Sequence, residues 1–143
     1  MKPSKRMSTM SPKVVISGSM DFQKEYKELV QSFESKGCVV IDYPKLSNNL
    51  AEEYPIILSN YFRNIEAADI FYLFNKEKNE MPGYIGAASF SELAYAVSQN
   101  LIHDKQIEII LAERPAENVP CSPEVKLWLQ YEWLKIDNET DRF

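Results

Sequence analysis

The fold of this chain is constrained most by four short apolar runs that alternate with amphipathic helical segments. The runs are "KVVIS" (Lys13–Ser17), "CVVIDY" (Cys38–Tyr43), "IFYLFN" (Ile70–Asn75) and "QIEIILA" (Gln106–Ala112). The first and third are continuously apolar, which is typical of parallel strands covered on both faces. Alternation of such strands with helices predicts an α/β fold around an open parallel sheet.

Four helices are predicted from apolar residues that recur at three- and four-residue spacing. They begin near Asp21, Tyr54–Pro55, Ser89 and Ser122–Pro123, and the last continues through Leu134. With right-handed crossovers, this order predicts a flavodoxin-like or Rossmann-like three-layer sandwich. We expect the strand order 2-1-3-4, to which a fifth short strand can be added.

The composition is that of one domain, since 143 residues with 45% hydrophobic side chains suffice for a full core. We expect residues 1–12 to be a disordered extension and residues 13–143 to form the domain. The extension lacks the apolar segment of a signal peptide, and no run approaches the ~20 apolar residues of a membrane span. A cytoplasmic protein that does not contact the membrane is therefore expected.

Charge and residue counts narrow the classes of ligand. A net charge of −5 argues against nucleic acid, because binding its backbone requires clustered lysine and arginine. One histidine, His103, and two cysteines without CxxC spacing make a metal site unexpected. No dinucleotide or P-loop motif is present, so no cofactor is expected. A small molecule is the expected partner.

In the predicted fold, ligands bind at the carboxyl ends of the strands where the winding direction reverses, between the first and third strands. The turn after the first strand places Gly18 between Ser17 and Ser19. A glycine there allows close approach of a ligand, and the amides of the next helix can hold a phosphate or a sugar hydroxyl. A tight turn with a capping serine is an equally good interpretation.

The loop after the third strand, Asn75–Ser89, is long for a strand-to-helix connection, where ~2–6 residues is usual. Such loops at the carboxyl edge are commonly functional. Pro82, Gly83 and Gly86 supply turns, and Tyr84 offers an aromatic face for a flat ligand. Its polar stretch "KEKNE" is also compatible with a merely solvated excursion.

Glu92 follows this loop in the first turn of the predicted third helix. Ser89 and Glu92 have the S-x-x-E spacing of a capping box, in which the serine caps the glutamate amide. The same position presents a carboxylate to the predicted crevice, where it can act as a nucleophile or a general base. Both interpretations remain open from the spacing.

Three stretches together resemble the nucleoside 2-deoxyribosyltransferase-like superfamily, over roughly Lys13 to Leu111. They are "KVVISGSM", "IEAADIFYLFN" and "GYIGAASFSELAYA". The resemblance implies that Glu92 attacks C1′ of a deoxyribosyl group and forms a glycosyl-enzyme ester, by the carboxylate chemistry of retaining glycosidases. It also implies a homo-oligomer and a nucleoside or nucleotide ligand, with Ser17, Gly18 and Ser19 helping to hold the 5′ end. The other candidate substrate-binding residues are Tyr61, Tyr84, Gly86 and Ser89.

The chain departs from the family pattern where transferases carry other functional side chains. Tyr61 and Gly86 stand where the family has aspartates, and Ile16 stands at a family tyrosine. Tyr61 or Tyr84 are the candidate substitutes. The alternatives are therefore a nucleotide-binding module without catalysis or a domain for assembly in which Glu92 only caps the helix. A third is a phosphoribohydrolase-like N-glycosidase, because the stretch "PGYIGAASFSE" of this chain faintly resembles the glycine-rich motif of that family.

Overall fold

A computed structural model describes residues 11–137, and these residues form an α/β domain. The strands are β1 (Lys13–Gly18), β2 (Val39–Asp42), β3 (Ile70–Phe74), β4 (Glu108–Leu111) and β5 (Lys135–Ile136). The helices are α1 (Gln23–Ser35), α2 (Leu50–Ala67), α3 (Ala87–His103) and α4 (Ser122–Gln130), with a 3-10 turn at Met20–Phe22. Within residues 11–137, none of the helices has the length and apolar character to cross a bilayer.

The five strands form one all-parallel open sheet in the order β2-β1-β3-β4-β5. The predicted fold and order are confirmed, and the fifth short strand exists beside β4. Because β1 is flanked by β2 on one side and β3 on the other, the winding reverses between β1 and β3. The carboxyl ends of these two strands therefore border the crevice that the fold predicts.

The strands divide their side chains between two helical layers, as a period of two requires. Alternate residues of β1 and β3 pack with Tyr26 and Phe33 of α1 on one face. The intervening residues pack on the other face against α2, α3 and Val125 of α4. All five residues of β3 are buried, which confirms the interpretation of its continuous apolar run as a strand covered on both sides.

The predicted disordered extension falls mostly outside the described residues, as do the last six residues of the chain. Ser11 and Pro12 are described, and the Pro12 carbonyl accepts a 2.8 Å hydrogen bond from the Val39 amide. At the same edge of the sheet, the Asp69 carboxylate accepts a 2.8 Å hydrogen bond from the Lys13 amide. Asp69 therefore has a structural contact at the end of the sheet opposite the crevice.

Several predicted helix boundaries are wrong by a few residues. α2 begins at Leu50, so Pro55 lies inside the helix rather than at its start. A proline tolerated in the first turn indicates a nearby start but does not locate it. α4 ends at Gln130, and Glu132 follows in a left-handed conformation with φ 61°. Leu134 therefore lies outside the helix and packs in the core just before β5.

Candidate functional site

Glu92 points from α3 to the end of β1, into the crevice between β1 and β3. The Ser17 hydroxyl donates a 2.5 Å hydrogen bond to Glu92 Oε1, and Ser17 is completely buried. α3 begins at Ala87 with Gly86 as its N-terminal cap, so Ser89 is already inside the helix. The capping-box interpretation is therefore wrong, because the Glu92 carboxylate accepts its hydrogen bond from β1.

Burial dominates the electrostatics of this carboxylate. It raises the pKa of Glu92 from its ordinary 4.5 to about 7, the Ser17 hydrogen bond opposes the change, and the nearby Asp42 carboxylate adds to it. At neutral pH the carboxyl is therefore present in both its protonated and its ionised form. A carboxyl with a pKa near the operating pH in a cleft is characteristic of groups that act in proton transfer or nucleophilic attack.

A mainly apolar cavity of about 240 Å³ opens beside Glu92, and we call it the Glu92 cavity. Its walls come from the turn after β1, the loop after β2, α2 and the first turns of α3. The lining residues are Gly18, Met20, Pro44, Lys45, Leu50, Tyr54, Ile57, Leu58, Tyr61, Ala88, Ser89 and Glu92. A space of this size and character suits a single planar ring system rather than a large ligand.

A second, more polar cleft of about 300 Å³ lies on the other side of the same turn, and we call it the Lys78 cleft. It shares Gly18, Met20, Ala88 and Ser89 with the Glu92 cavity. Its remaining walls are Ser19, Asp21, Phe22, Phe74, Lys78, Tyr84, Gly86 and Ala87. The structure thus brings Gly18, Ser19, Tyr84, Gly86 and Ser89, all singled out from the sequence, to one cleft beside Glu92.

Lys78 was not recognised from the sequence, although it joins the two loops of the crevice. Its ammonium donates a 2.8 Å hydrogen bond to Ser19 Oγ and lies 3.0 Å from Asp21 Oδ2. It stands on a tight turn that is closed by a bridge to Met81. This loop therefore places a cation at the crevice, while the residues on either side of Lys78 in the polar stretch are exposed.

The backbone conformation and close packing at position 18 require a glycine. Its φ is +150°, and a Cβ atom at this position would lie 2.5 Å from the Tyr26 hydroxyl oxygen and 2.9 Å from the Phe74 carbonyl oxygen. That hydroxyl donates a 2.6 Å hydrogen bond to the Ser19 carbonyl and holds the turn against α1. The tight-turn interpretation of Gly18 is correct, and the turn also lines both the Glu92 cavity and the Lys78 cleft.

The two tyrosines considered as substitutes for the family acids occupy different settings. The Tyr61 hydroxyl donates a 2.7 Å hydrogen bond to the Ile16 carbonyl inside the core. Burial, with Glu92 next in effect, raises the pKa of Tyr61 well above its ordinary value. Tyr84 lies in the Lys78 cleft, with its ring against Gly86. Tyr61 therefore serves as a wall of the Glu92 cavity, and Tyr84 lines the Lys78 cleft.

Asp42 is a further residue that sequence reasoning missed. It ends β2 and is only 9% exposed. The Asn64 amide donates a 2.9 Å hydrogen bond to Oδ2, while Oδ1 accepts one from the Tyr43 amide and lies 3.4 Å from Lys45 Nζ. Its place at the carboxyl end of a strand adjacent to β1 was the available signal. The sequence alone does not show that its charge acts on Glu92.

Among residues 11–137, no cluster of three or more histidine, cysteine, aspartate or glutamate side chains has the arrangement of a metal site. In comparisons with known proteins, the chain matches no protein-family model and no curated protein.

Proposed function

We propose that this protein binds a nucleoside or nucleotide in the β1–β3 crevice and cleaves or transfers its N-glycosidic bond, with Glu92 as the nucleophile. The proposal depends on the position of the Glu92 carboxylate. It accepts a hydrogen bond from Ser17 rather than from its own helix, and it borders a cavity of the size of a single ring system. A carboxylate that only capped its helix would instead be hydrogen-bonded to a backbone amide at the start of α3.

The Ser17 hydrogen bond is compatible with nucleophilic attack because it occupies only one carboxylate oxygen. Ser17 holds Oε1 at the end of β1 and leaves Oε2 to approach an anomeric carbon in the crevice. Attack by the ionised form yields a glycosyl ester, and water or a second base then resolves it through an oxocarbenium-like transition state. A pKa of about 7 leaves a substantial ionised fraction at neutral pH.

The two adjoining spaces suggest how a nucleotide would be oriented. The Glu92 cavity is mainly apolar and would accept the base, while the Lys78 cleft presents an ammonium group and the Ser19 hydroxyl. A 5′-phosphate in this cleft would compete with Asp21 for Lys78, and a phosphate carries more charge than a carboxylate. Both spaces meet at Gly18 and Ser89, next to the proposed nucleophile.

A second candidate is a nucleotide-binding module that does not catalyse turnover. It is favoured by the absence of a side-chain acid at Gly86 and by the Tyr61 hydroxyl, whose hydrogen goes to the Ile16 carbonyl rather than to a ligand. In this case the crevice would hold the ligand, and Glu92 would contribute only to binding.

The proposal is tested by measuring free base after incubation with a panel of ribo- and 2′-deoxynucleosides and their 5′-monophosphates. Wild type and Glu92→Gln are compared, with Glu34→Gln as a control on the exposed surface of α1. We expect base release by wild type and by the control, and loss of release in Glu92→Gln. Binding without release by wild type would favour the module, and release only from ribosyl substrates would favour the phosphoribohydrolase-like alternative.

A further inference from the structure

The proposed reaction leaves one step without an assigned group, and the inference that follows rests on the proposed function. When the C1′–N bond breaks, its electron pair moves to the base, and a basic leaving group departs slowly unless it receives a proton. The positions that carry acids in the resembling family hold Tyr61 and Gly86 in this chain. The other polar side chains that line the Glu92 cavity are the candidates for this proton.

Few polar side chains line that cavity besides Glu92. They are Lys45, Tyr54, Tyr61 and Ser89. Tyr61 commits its hydroxyl hydrogen to the Ile16 carbonyl, and its raised pKa, caused first by burial, makes it a poor acid. Ser89 offers only an aliphatic hydroxyl. Lys45 and Tyr54 remain.

Lys45 lines the Glu92 cavity, and its half-exposed side chain pairs with an anchored carboxylate. Its Nζ lies 3.4 Å from Asp42 Oδ1 and 4.5 Å from the centre of the Tyr43 ring. Asp42 is itself fixed by the Asn64 side chain and by the Tyr43 amide. Lys45 also lines a neighbouring cavity of about 460 Å³ that shares Ile57 and Tyr61 with the Glu92 cavity.

The proposed acid and nucleophile do not neutralise each other. The Lys45 ammonium group pairs with Asp42 and contacts the Tyr43 ring, while Glu92 is hydrogen-bonded to Ser17. A cation that lines the same cavity as the base also stabilises the negative charge that develops on the base as the bond breaks, which a neutral phenol does less well. These two considerations favour Lys45 over Tyr54.

We propose that Lys45 is the catalytic acid that protonates the departing base. In the first half-reaction, a Glu92 oxygen forms the bond to C1′ and the C1′–N electron pair passes to the base. A proton moves from Lys45 Nζ to that base, and solvent then returns a proton to the amine. No oxidant or reductant is required.

The experiment uses a pair of substrates that differ only in their need for a proton. The pair is 2′-deoxyguanosine 5′-monophosphate and its N7-methyl derivative, whose base already carries a positive charge and leaves without protonation. Release of base is measured for wild type, Lys45→Met, Tyr54→Phe and Glu92→Gln, after subtraction of the uncatalysed rate. Lys76→Met is the matched control, because Lys76 also has one ion pair (Glu113) and an aromatic neighbour (Phe74) but lines neither cavity.

We expect Lys45→Met to slow release from the unmethylated nucleotide by ~10²-fold or more, the lower range for loss of a general acid. Release from the N7-methyl nucleotide should change by less than ~3-fold, and Lys76→Met should behave as wild type on both substrates. Equal slowing of both substrates by Lys45→Met, or a selective loss in Tyr54→Phe instead, would overturn the assignment. If no nucleoside or nucleotide of the panel described above shows release that depends on Glu92, the proposed function fails, and the assignment of Lys45 fails with it.

Discussion

Replacing Glu92 with glutamine should change how the stability of the protein depends on pH. In the folded state, burial raises the pKa of Glu92 from 4.5 to about 7, so the folded protein retains a proton that the unfolded chain releases. The resulting contribution to stability is complete below pH 4.5 and is lost as pH rises through 7. At about 1.4 kcal/mol for each tenfold change in ionisation, the full loss is about 3 kcal/mol.

Because the side chain is partly exposed, we expect roughly 2 kcal/mol of this loss between pH 5 and pH 8.5. Glutamine keeps the shape of the side chain and has no charged form. The free energy of unfolding of Glu92→Gln should therefore rise by roughly 2 kcal/mol relative to that of wild type between pH 5 and pH 8.5. Urea unfolding at closely spaced pH values measures the difference, with Glu34→Gln as a surface control. Parallel curves for wild type and Glu92→Gln would mean that Glu92 is ionised and well solvated in the folded protein, which would refute the reasoning.

Three further substitutions test the crevice. Gly18→Ala should lower the free energy of unfolding by about 2 kcal/mol or more in a urea titration, because its Cβ would meet the Tyr26 hydroxyl oxygen at 2.5 Å and φ is +150°. Ser17→Ala removes a hydrogen bond that lowers the pKa of Glu92, so the midpoint of the rate–pH curve should move to higher pH; an unmoved midpoint would contradict this. Asn75→Ala should cost about 2–4 kcal/mol in the same urea assay, since its buried amide makes three hydrogen bonds that join the loops after β3 and β4; a loss below about 1 kcal/mol would contradict that role.

The sheet order was predictable because the strand signals are strong and the rules that govern crossovers are few. Continuous apolar runs at β1 and β3 identified strands covered on both faces, and right-handed connections left little freedom in their order. The start of α2 was not predictable from Pro55, since a proline is compatible with more than one place in the first turns of a helix. Local signals therefore located the elements better than they located their ends.

The crevice was also predictable, but the contacts inside it were not. The topology predicts that Glu92 lies beside the Ser17 turn. The S-x-x-E spacing predicts a cap only if the helix begins at Ser89, and α3 begins two residues earlier, at Ala87. The partners of Lys78 and Asp42 lie on other loops and strands, and their positions depend on tertiary packing. No local sequence signal distinguishes Lys78 from the exposed residues beside it in "KEKNE".

The central claim, that Glu92 forms a covalent bond to the sugar, is tested most directly by mass spectrometry of the protein and of its peptides. Wild type, Glu92→Gln and Glu34→Gln are mixed with a 2′-deoxynucleoside 5′-monophosphate, quenched in acid during turnover and digested to locate any adduct. We predict an increase equal to the deoxyribosyl phosphate group on the peptide that contains Glu92 in wild type and in Glu34→Gln, and none in Glu92→Gln. Continued base release by Glu92→Gln, or an adduct on a different residue, would contradict the claim.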